Sequence, residues 1–331
     1  MPAVGGNVTT VRRISTHLEA LGVNVQIVTT QPLTEDARLK AKNFRPDIVH
    51  AFHAFKSGLV ALELAQRLST PLVITITGTD VHSDLYHSER REIVLSVLRA
   101  ANAITTFATA IADELLEFDK SLATKTHIIP QGIWFPPQEI WDLRKHLSIS
   151  ADVPLLLLPA NIRRVKRPML AFEGVRLLRN LGFDAHILFV GEILETDEWK
   201  RLSEAIANCQ WSHYLGSVPM ERMVSVYLAC DIVLNTSEHE GGMANALVEG
   251  MWLKRPILAS AVAGNLSLVR EKETGLIFRD AEELAKKAAR LLMDEDLRKR
   301  LVENAHRWVR QNCDPIREAQ SYLKVYNEIA G

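Results

Sequence analysis

The chain has 331 residues, of which 47% are hydrophobic and 24% are charged, and its formal net charge is -1. This length allows two domains of ordinary size, each with its own core. The near-neutral charge argues against a nucleic-acid-binding protein, which normally carries a basic excess. The three cysteines, Cys209, Cys230 and Cys313, include no close pair, so they indicate neither a zinc site nor a disulfide framework and favour a reducing compartment.

Apolar runs are short throughout the chain. The longest, such as residues 154–159, have the length of a strand and fall far short of the roughly 20 residues that a membrane span needs. No secretory signal follows Met1. We therefore expect a cytoplasmic enzyme with no integral membrane segment and no nucleic-acid partner.

Strand-like and helix-like patterns alternate along the sequence. The predicted strands are residues 23–29, 47–52, 72–77, 103–107 and 127–129 in the first half, and 155–158, 185–190, 231–235, 257–260 and 275–278 in the second. The helical stretches include residues 8–21, 58–68, 89–100 and 109–118, and nearly everything after 281. Such alternation predicts an α/β protein in which two Rossmann-like, doubly wound parallel sheets face a cleft.

Two prolines at positions 136 and 137 follow the Gly132 turn and mark the expected hinge. We predict an N-terminal domain over residues 1–138 and a C-terminal domain over 139–312. The last helix, residues 313–331, is expected to pack back on the N-terminal domain.

The beginning of the sequence does not fit this scheme, because a Rossmann-like domain starts with a strand that leads into its first glycine turn. Here Gly5 and Gly6 follow Met1 with no strand before them. Either the start of the chain has been assigned too far downstream, or the domain lacks its first central strand. We favour the first explanation, because losing a central strand leaves its neighbours unpaired.

A glycine pair follows the predicted strand 231–235 and precedes a helix. Gly241 and Gly242 stand where backbone amides and a helix N-terminus can bind an anion. Glu240 and Glu249 flank the pair, and carboxylates beside an anion site need hydroxyl partners such as those of a sugar and a ribose. The alternative is an ordinary helix start with a capping acid and a surface glutamate.

Four cations follow the strand 155–158: Arg163, Arg164, Lys166 and Arg167. At a strand's carboxyl end they could neutralise a diphosphate and stabilise its charge as it leaves. A solvated charge run before a helix is the alternative.

Polar residues also follow two predicted strands of the first half. Asp80, in the run Thr77-Gly78-Thr79-Asp80, could orient or deprotonate an acceptor hydroxyl, and His53 or Lys56 could bind an anionic acceptor. Each is alternatively a loop cap or a satisfied core histidine. Gly6 before a helix is a weak phosphate signal, and no set of residues has the spacing of metal ligands.

Together these motifs resemble the retaining glycosyltransferases of family 4, which have the GT-B fold, and the resemblance extends over essentially the whole chain. The matching segments are residues 129–133 (Ile-Pro-Gln-Gly-Ile), 163–168, 189–192 (Phe-Val-Gly-Glu), 214–231 and 240–249. Residues 53–57, 77–80 and 263–265 also resemble segments of the family's smaller subgroups, among them selenosugar synthases.

The resemblance implies roles for these residues. The expected donor is a nucleoside-diphosphate sugar, and specifically a UDP-sugar. It is expected to contact Gly6, Arg163, Lys166, Gly191, Glu240, Gly241, Gly242, Met243, Ala244 and Glu249. Glu249 is expected to hold the ribose, and Arg163 with Lys166 the diphosphate. Because eight residues separate Glu240 from Glu249, one more than in the family motif, Glu240 needs a one-residue bulge to reach the donor.

The same resemblance implies that a small-molecule or glycan acceptor contacts His53, Lys56, Thr77 and Asp80 in the N-terminal domain. Asp80, Arg163, Lys166 and Glu240 are the expected catalytic residues. Transfer is expected to proceed with retention and with neither metal nor cofactor, the leaving phosphate helping to deprotonate the acceptor. The alternatives are a selenosugar or thiosugar synthase, and a degenerate protein that binds a nucleotide or a partner without catalysis.

Overall fold

A computed structural model of the chain describes residues 6–30, 34–240 and 242–331. They form two compact units, one built from Ile133–Cys313 and the other from Thr9–Gly132 with Asp314–Gly331. Within the described residues, no helix is both long and apolar enough to cross a membrane.

The helices, in chain order, are α1 (Gly6–Ala20), α2 (Glu35–Phe44), α3 (Gly58–Leu68), α4 (Thr79–His82), α5 (Ser88–Ala100), α6 (Thr109–Phe118), α7 (Leu143–His146), α8 (Pro168–Asn180), α9 (Thr196–Ile206), α10 (Met220–Ala229), α11 (Asn245–Trp252), α12 (Ala263–Leu266), α13 (Ala281–Met293), α14 (Glu295–Asn312) and α15 (Pro315–Ala330). Short 3-10 turns lie at Asp84–Tyr86, Lys120–Lys125 and Arg164–Lys166. The strands are β1 (Val49–Phe52), β2 (Leu72–Thr75), β3 (Ala103–Thr106), β4 (Thr126–Ile128), β5 (Leu155–Pro159), β6 (His186–Val190), β7 (Ser212–Tyr214), β8 (Ile232–Asn235), β9 (Ile257–Ser260) and β10 (Leu276–Phe278).

The N-terminal unit contains a parallel sheet of order β1-β2-β3-β4. Helices α3, α5 and α6 cover one face through an apolar cluster that includes Ile74 and Leu98. Helices α1 and α15 contribute to a second cluster on the other face, around Val73 and Tyr322. Because α15 starts at Pro315 with the Asp314 side chain capping its first turn, its beginning is fixed locally.

A buried ion pair joins the two helices of that second face. The guanidinium of Arg13 on α1 donates from Nε and Nη2 to the carboxylate of Glu318 on α15, at 2.7 and 2.9 Å. The exposed fractions of these side chains are 2% and 0%. A bidentate pair of this kind satisfies both charges in a dry setting, so it fixes the register of α15 against α1.

The predicted strand at residues 23–29 is wrong. These residues follow α1 without forming a strand, although Val23 and Val25 pack against the second apolar cluster. Within the described part of the chain, β1 is the edge of its sheet and pairs with β2 alone. A strand requires a neighbour for its backbone groups, so an apolar, β-branched run without a neighbour stays irregular. The first described element is α1, and Gly5 lies outside the described residues.

The C-terminal unit contains a parallel sheet of order β10-β9-β8-β5-β6-β7. Two apolar clusters lie on its faces, one with α10, α11 and α14 and the other with α8, α9 and α13. The sequence reading missed β7 because this edge strand is only three residues long and its Ser212 and His213 are polar. The strand order reverses between β5 and β8, and in parallel sheets a ligand crevice forms at the carboxyl ends of such strands.

Candidate functional site

The loops that follow β5 and β8 are tied to each other at the reversal point of the C-terminal sheet. The backbone N–H of Glu238 donates to the carbonyl of Val165 at 2.8 Å. The hydroxyl of Thr236 donates to the carbonyl of Lys166 at 2.6 Å. These bonds bring the cationic loop and the glutamate–glycine loop together, although 74 residues separate Lys166 from Glu240 in sequence.

The side chain of Glu240 lies at the centre of this junction. Its Oε1 accepts hydrogen bonds from Lys166 Nζ at 2.5 Å, Ser237 Oγ at 2.6 Å and Asn235 Nδ2 at 2.9 Å. Burial favours protonation of the carboxyl, but the charge of Lys166 and the three donors outweigh it and hold the pKa of Glu240 below its ordinary value. Glu240 is therefore an ionised carboxylate whose charge is compensated by a neighbouring cation.

A second layer of polar groups fixes the donors around Glu240. Asn265 on α12 is fully buried, and its Nδ2 donates to Ser260 Oγ at 3.0 Å and lies 3.3 Å from Asn235 Oδ1. The hydroxyl of Ser260 in turn donates to the carbonyl of Ser237 at 2.6 Å. A Cβ added to Gly264 would lie 2.4 Å from the Glu240 carbonyl oxygen, so only glycine allows α12 to approach this loop so closely.

The remaining cations of the loop after β5 have different surroundings. Arg163 is partly buried, and its Nε lies out of solvent without a hydrogen-bond partner. Arg164 is exposed, and only its backbone N–H is fixed, by Glu195 Oε2 at 2.8 Å. An inaccessible guanidinium nitrogen without an acceptor is the expected state of a group that binds an anionic ligand. Arg163 is thus the stronger candidate of the two for a diphosphate.

Gly191 lies at the end of β6, beside the loop that follows β5. Its φ is +155°, and a Cβ there would lie 2.4 Å from the Ala160 carbonyl oxygen, so this approach requires glycine. Its backbone N–H donates to the carbonyl of Gly216, and its carbonyl accepts from the Tyr214 hydroxyl at 2.9 Å. Asn161, which follows β5, accepts from the N–H of Glu192 at 2.9 Å and so joins the loop after β5 to the loop after β6.

The glycine turn leads into α11. Gly241 lies outside the described residues, and Gly242 has a φ of +140°, a conformation that favours glycine. Met243 and Ala244 are buried and precede the first turn of α11. Glu249 lies on α11, half-buried, and accepts a hydrogen bond from the hydroxyl of Tyr227 at 2.6 Å. Gly6, the other predicted donor-site glycine, is the first residue of α1 in the described structure.

In the N-terminal unit, Asp80 joins the loops that follow β1 and β2. Its carboxylate accepts from the backbone N–H of Gly78 at 2.8 Å, and from those of Thr77 and Ala54 at 3.1 Å each. Asp80 is fully buried. Its oxygens therefore fix the shape of the two loops, with Gly78 adopting a φ of +114° that glycine tolerates.

His53 lies beside Asp80, buried and with a φ of +86°. Its Nδ1 accepts from the backbone N–H groups of Phe55 and Lys56, so we assign the proton to Nε2, which lies 2.9 Å from Thr79 Oγ1. Burial, opposed by the nearby Asp80, lowers the pKa of His53, which is therefore neutral. The side chain of Lys56 is exposed and that of Thr77 is partly buried.

The structure brings together the predicted donor residues Lys166 and Glu240, and separately the predicted acceptor residues His53, Thr77 and Asp80. Sequence reasoning missed the supporting side chains, namely Asn235, Ser237, Ser260, Asn265, Tyr227 and Thr79. The available signal was that Tyr227, Asn265 and Thr79 lie within segments that resemble the family or its subgroups. Among the described residues, no group of three or more His, Cys, Asp or Glu side chains could hold a metal ion.

The two halves of the sequence match two different family descriptions. Residues 139–308, just over half of the chain, match the family described as Glycosyl transferases group 1. Residues 32–133 match Glycosyltransferase Family 4. The chain is also 25% identical over 327 residues to Glycosyltransferase 1 domain-containing protein 1 of Xenopus tropicalis, covering 96% of this chain and 92% of that protein.

Solved structures are similar over nearly the whole chain. The Anabaena protein HepE in complex with UDP-glucose superposes with a TM-score of 0.79 at 19% identity, covering 95% of this chain and 88% of HepE. Sucrose-phosphate synthase from Thermosynechococcus elongatus gives a TM-score of 0.77 at 20% identity, covering 98% and 94%. The prediction of an α/β protein with the GT-B fold and two parallel sheets is confirmed.

Proposed function

Because the chain belongs to the glycosyl transferases group 1 family, we propose that it transfers a sugar with retention from a UDP-sugar to a small-molecule or glycan acceptor. The observation that carries the proposal is the ion pair between Lys166 and Glu240. It lies in the loops after β5 and β8, where the strand order of the C-terminal sheet reverses. The complex of the structurally similar HepE with UDP-glucose supports the choice of donor.

The donor's diphosphate takes its charge compensation from Lys166 and Arg163. Lys166 forms its ion pair with Glu240, whereas the buried Arg163 Nε has no acceptor of its own. A bound diphosphate supplies acceptors to both cations. The amides of Gly241, Gly242, Met243 and Ala244, before the N-terminus of α11, add donors for the phosphate and the sugar.

Glu240 binds the donor sugar. Its three protein donors converge on Oε1, which leaves Oε2 to accept from a sugar hydroxyl. Glu249, half-buried on α11, accepts from the ribose, and the donor contacts the backbone at Gly191 and Gly6, which carry no side chain. No catalytic metal or cofactor is needed, because Lys166 and Arg163 carry the positive charge that stabilises the leaving diphosphate.

In the reaction, the bond from the anomeric carbon to the diphosphate oxygen breaks and the acceptor oxygen bonds to the same carbon. The acceptor's proton passes to a phosphate oxygen of the leaving group. Asp80 contributes by shaping the acceptor loop, since its oxygens are engaged by backbone amides. Lys56, Thr77 and His53 supply acceptor contacts, His53 as a neutral imidazole.

The test measures UDP release from a panel of UDP-sugars, with and without a panel of acceptors, in the presence of EDTA. We expect acceptor-dependent turnover that EDTA leaves unchanged. Glu249→Gln should raise KM for the donor by about tenfold, because it weakens a charge-assisted hydrogen bond to the ribose. The matched control is Glu238→Gln, because Glu238 is an exposed glutamate in the loop before α11. This variant should keep wild-type kinetics.

Two results would contradict the proposal. Loss of activity in EDTA that Mg²⁺ restores would refute the metal-independent mechanism. UDP binding without turnover on any acceptor tested would favour the binding-only alternative.

A further inference from the structure

A buried hydroxyl contacts the glutamate to which the donor ribose is assigned. Tyr227 on α10 is fully inaccessible to solvent, and its hydroxyl lies 2.6 Å from Glu249 Oε2 on α11. The same hydroxyl lies 3.4 Å from the carbonyl of Ala246, one turn earlier on α11. The tyrosine thus links α10 to the helix that follows the glycine turn.

The direction of this hydrogen bond is fixed by the chemistry of its surroundings. Burial, and then the charge of Glu249, raise the pKa of Tyr227 well above its ordinary value, so the phenol stays protonated. A protonated phenol beside a carboxylate donates, and a bond of 2.6 Å is typical of a charge-assisted pair. Tyr227 therefore stabilises Glu249 in its ionised form.

The packing of Tyr227 holds the phenol ring in one orientation. The ring belongs to the apolar cluster that also contains Val226, Leu247 and Met251. Glu249 is less enclosed, and a glutamate has three side-chain torsions that are costly to order on binding. A rigid donor on one carboxylate oxygen removes part of that freedom before the ligand arrives, and an ionised carboxylate can accept several hydrogen bonds at once.

We infer that Tyr227 is a positioning residue that holds the Glu249 carboxylate in the orientation that receives the ribose hydroxyls of the nucleotide donor. The inference rests on the proposed function, because it requires Glu249 to contact the ribose. It adds a specificity role for a residue of the hydrophobic core. Removing the hydroxyl should selectively weaken ligands that carry ribose hydroxyls.

The experiment measures Kd by calorimetry for UDP and for 2′,3′-dideoxy-UDP, which lacks the ribose hydroxyls. The quantity compared is the ratio of Kd for dideoxy-UDP to Kd for UDP. Tyr227→Phe should weaken UDP binding about tenfold, or about 1.4 kcal/mol, and should change dideoxy-UDP binding less than twofold. The ratio of the two Kd values is measured within one protein, so a loss of folded protein affects both equally. Tyr326→Phe removes another tyrosine hydroxyl bond, the partly buried one to His50 in the N-terminal unit, and should leave the ratio unchanged.

A second variant keeps the inference testable if Tyr227→Phe folds poorly. Glu249→Gln should reduce the ratio by itself, and adding Tyr227→Phe to it should produce little further change, because the two residues act through one contact. If the tyrosine acts independently, the two effects multiply, and the inference is overturned.

The outcomes also separate this inference from the proposed function. A wild-type protein that does not bind UDP contradicts the proposed function itself. If wild type binds UDP and Glu249→Gln weakens it, an unchanged ratio in Tyr227→Phe overturns the positioning role alone. Equal weakening of both nucleotides by Tyr227→Phe would likewise overturn that role, because it would reveal general loosening of the core.

Discussion

Asp80 and Glu240 occupy equivalent positions in the two units, each after a strand at the carboxyl edge of a parallel sheet, but their partners differ in kind. Asp80 accepts from three backbone N–H groups. Glu240 accepts from three side chains, one of which is a cation. An acidic residue at a strand end can therefore either shape the loop or contact a ligand, and its partners distinguish the two.

The two kinds of partner respond differently when a ligand arrives. Backbone amides cannot leave Asp80 without distorting the loops after β1 and β2, so this carboxylate is committed to structure. A lysine side chain is flexible and can exchange a glutamate for a phosphate with little change of the backbone. The difference predicts that substitutions at the Lys166–Glu240 pair reduce activity more than stability, and that those at Asp80 do the reverse.

The largest effect is expected for Lys166→Met, which removes the cation that compensates Glu240 and, in the proposed function, the donor's diphosphate. We expect kcat/KM for the donor to fall by about 10²–10³-fold, equivalent to about 3–4 kcal/mol of transition-state stabilisation. The unfolding free energy should fall by less than this, by about 1–2 kcal/mol, because Glu240, whose side chain is only 11% exposed, loses its cation but can take up a proton. Steady-state kinetics and urea denaturation measure the two quantities.

Arg164→Met is the matched control for this prediction, because Arg164 belongs to the same loop but has an exposed side chain. It should retain activity within about twofold of wild type. If both variants lost the same activity, the effect would come from the net charge of the loop, and the specific role of Lys166 would be wrong.

Asp80→Asn tests the other side of the comparison. The amide has nearly the same shape but turns an NH₂ group toward backbone donors, so buried N–H groups lose their acceptor. We expect the unfolding free energy of the N-terminal unit to fall by about 2–3 kcal/mol. Asp113→Asn, at an exposed position, should be neutral. Full stability combined with loss of activity would instead identify Asp80 as a chemical participant.

The elements of the fold were largely predictable from local patterns. Apolar runs identified nearly every strand, and the last helix was predicted close to the bounds of α15. The strand predicted at residues 23–29 failed because an apolar run carries no information about whether a neighbouring strand exists. The polar edge strand β7 was missed for the converse reason, since its pairing with β6 does not depend on an apolar run.

The candidate site was predictable only in part. Parallel topology places strand ends together, so Lys166 and Glu240 could be assigned to one edge of a sheet before the structure was known. Their direct contact, and the support from Asn265 and Tyr227, depend on residues brought together from distant segments. No local pattern encodes such contacts, which explains why the partners of each carboxylate had to come from the structure.

The pH dependence of stability should depend on a histidine of the N-terminal sheet. Burial lowers the pKa of His50, on β1, from 6.5 to about 3. Below pH 6.5 the unfolded chain takes up a proton that the folded unit does not, so stability falls as pH drops from 6.5 toward 3. At pH 5.5 the contribution of His50 should be a loss of roughly 1.4 kcal/mol relative to pH 7.5.

This prediction is measured as the difference in unfolding free energy between pH 7.5 and 5.5. His50→Gln should reduce that difference, whereas His239→Gln, at an exposed position, should keep it. Equal pH dependence in the wild type and in His50→Gln would show that His50 takes up its proton in the folded state.

The smallest effect is expected for Ser237→Ala, which removes one of the three donors to Glu240 Oε1. The hydrogen bonds of Ser237 and Asn235, together with Lys166, oppose the effect of burial, so losing one donor raises the pKa of Glu240. The acid limb of the kcat/KM profile should therefore move to higher pH, and the lost hydrogen bond should separately lower kcat/KM by about threefold at neutral pH because Glu240 is held less firmly. Ser203→Ala removes a serine that bonds only within its own helix and should leave the profile in place. If instead the acid limb stayed fixed while stability fell, Ser237 would serve the loop's backbone, and the distinction between side-chain and backbone partners would not extend to this residue.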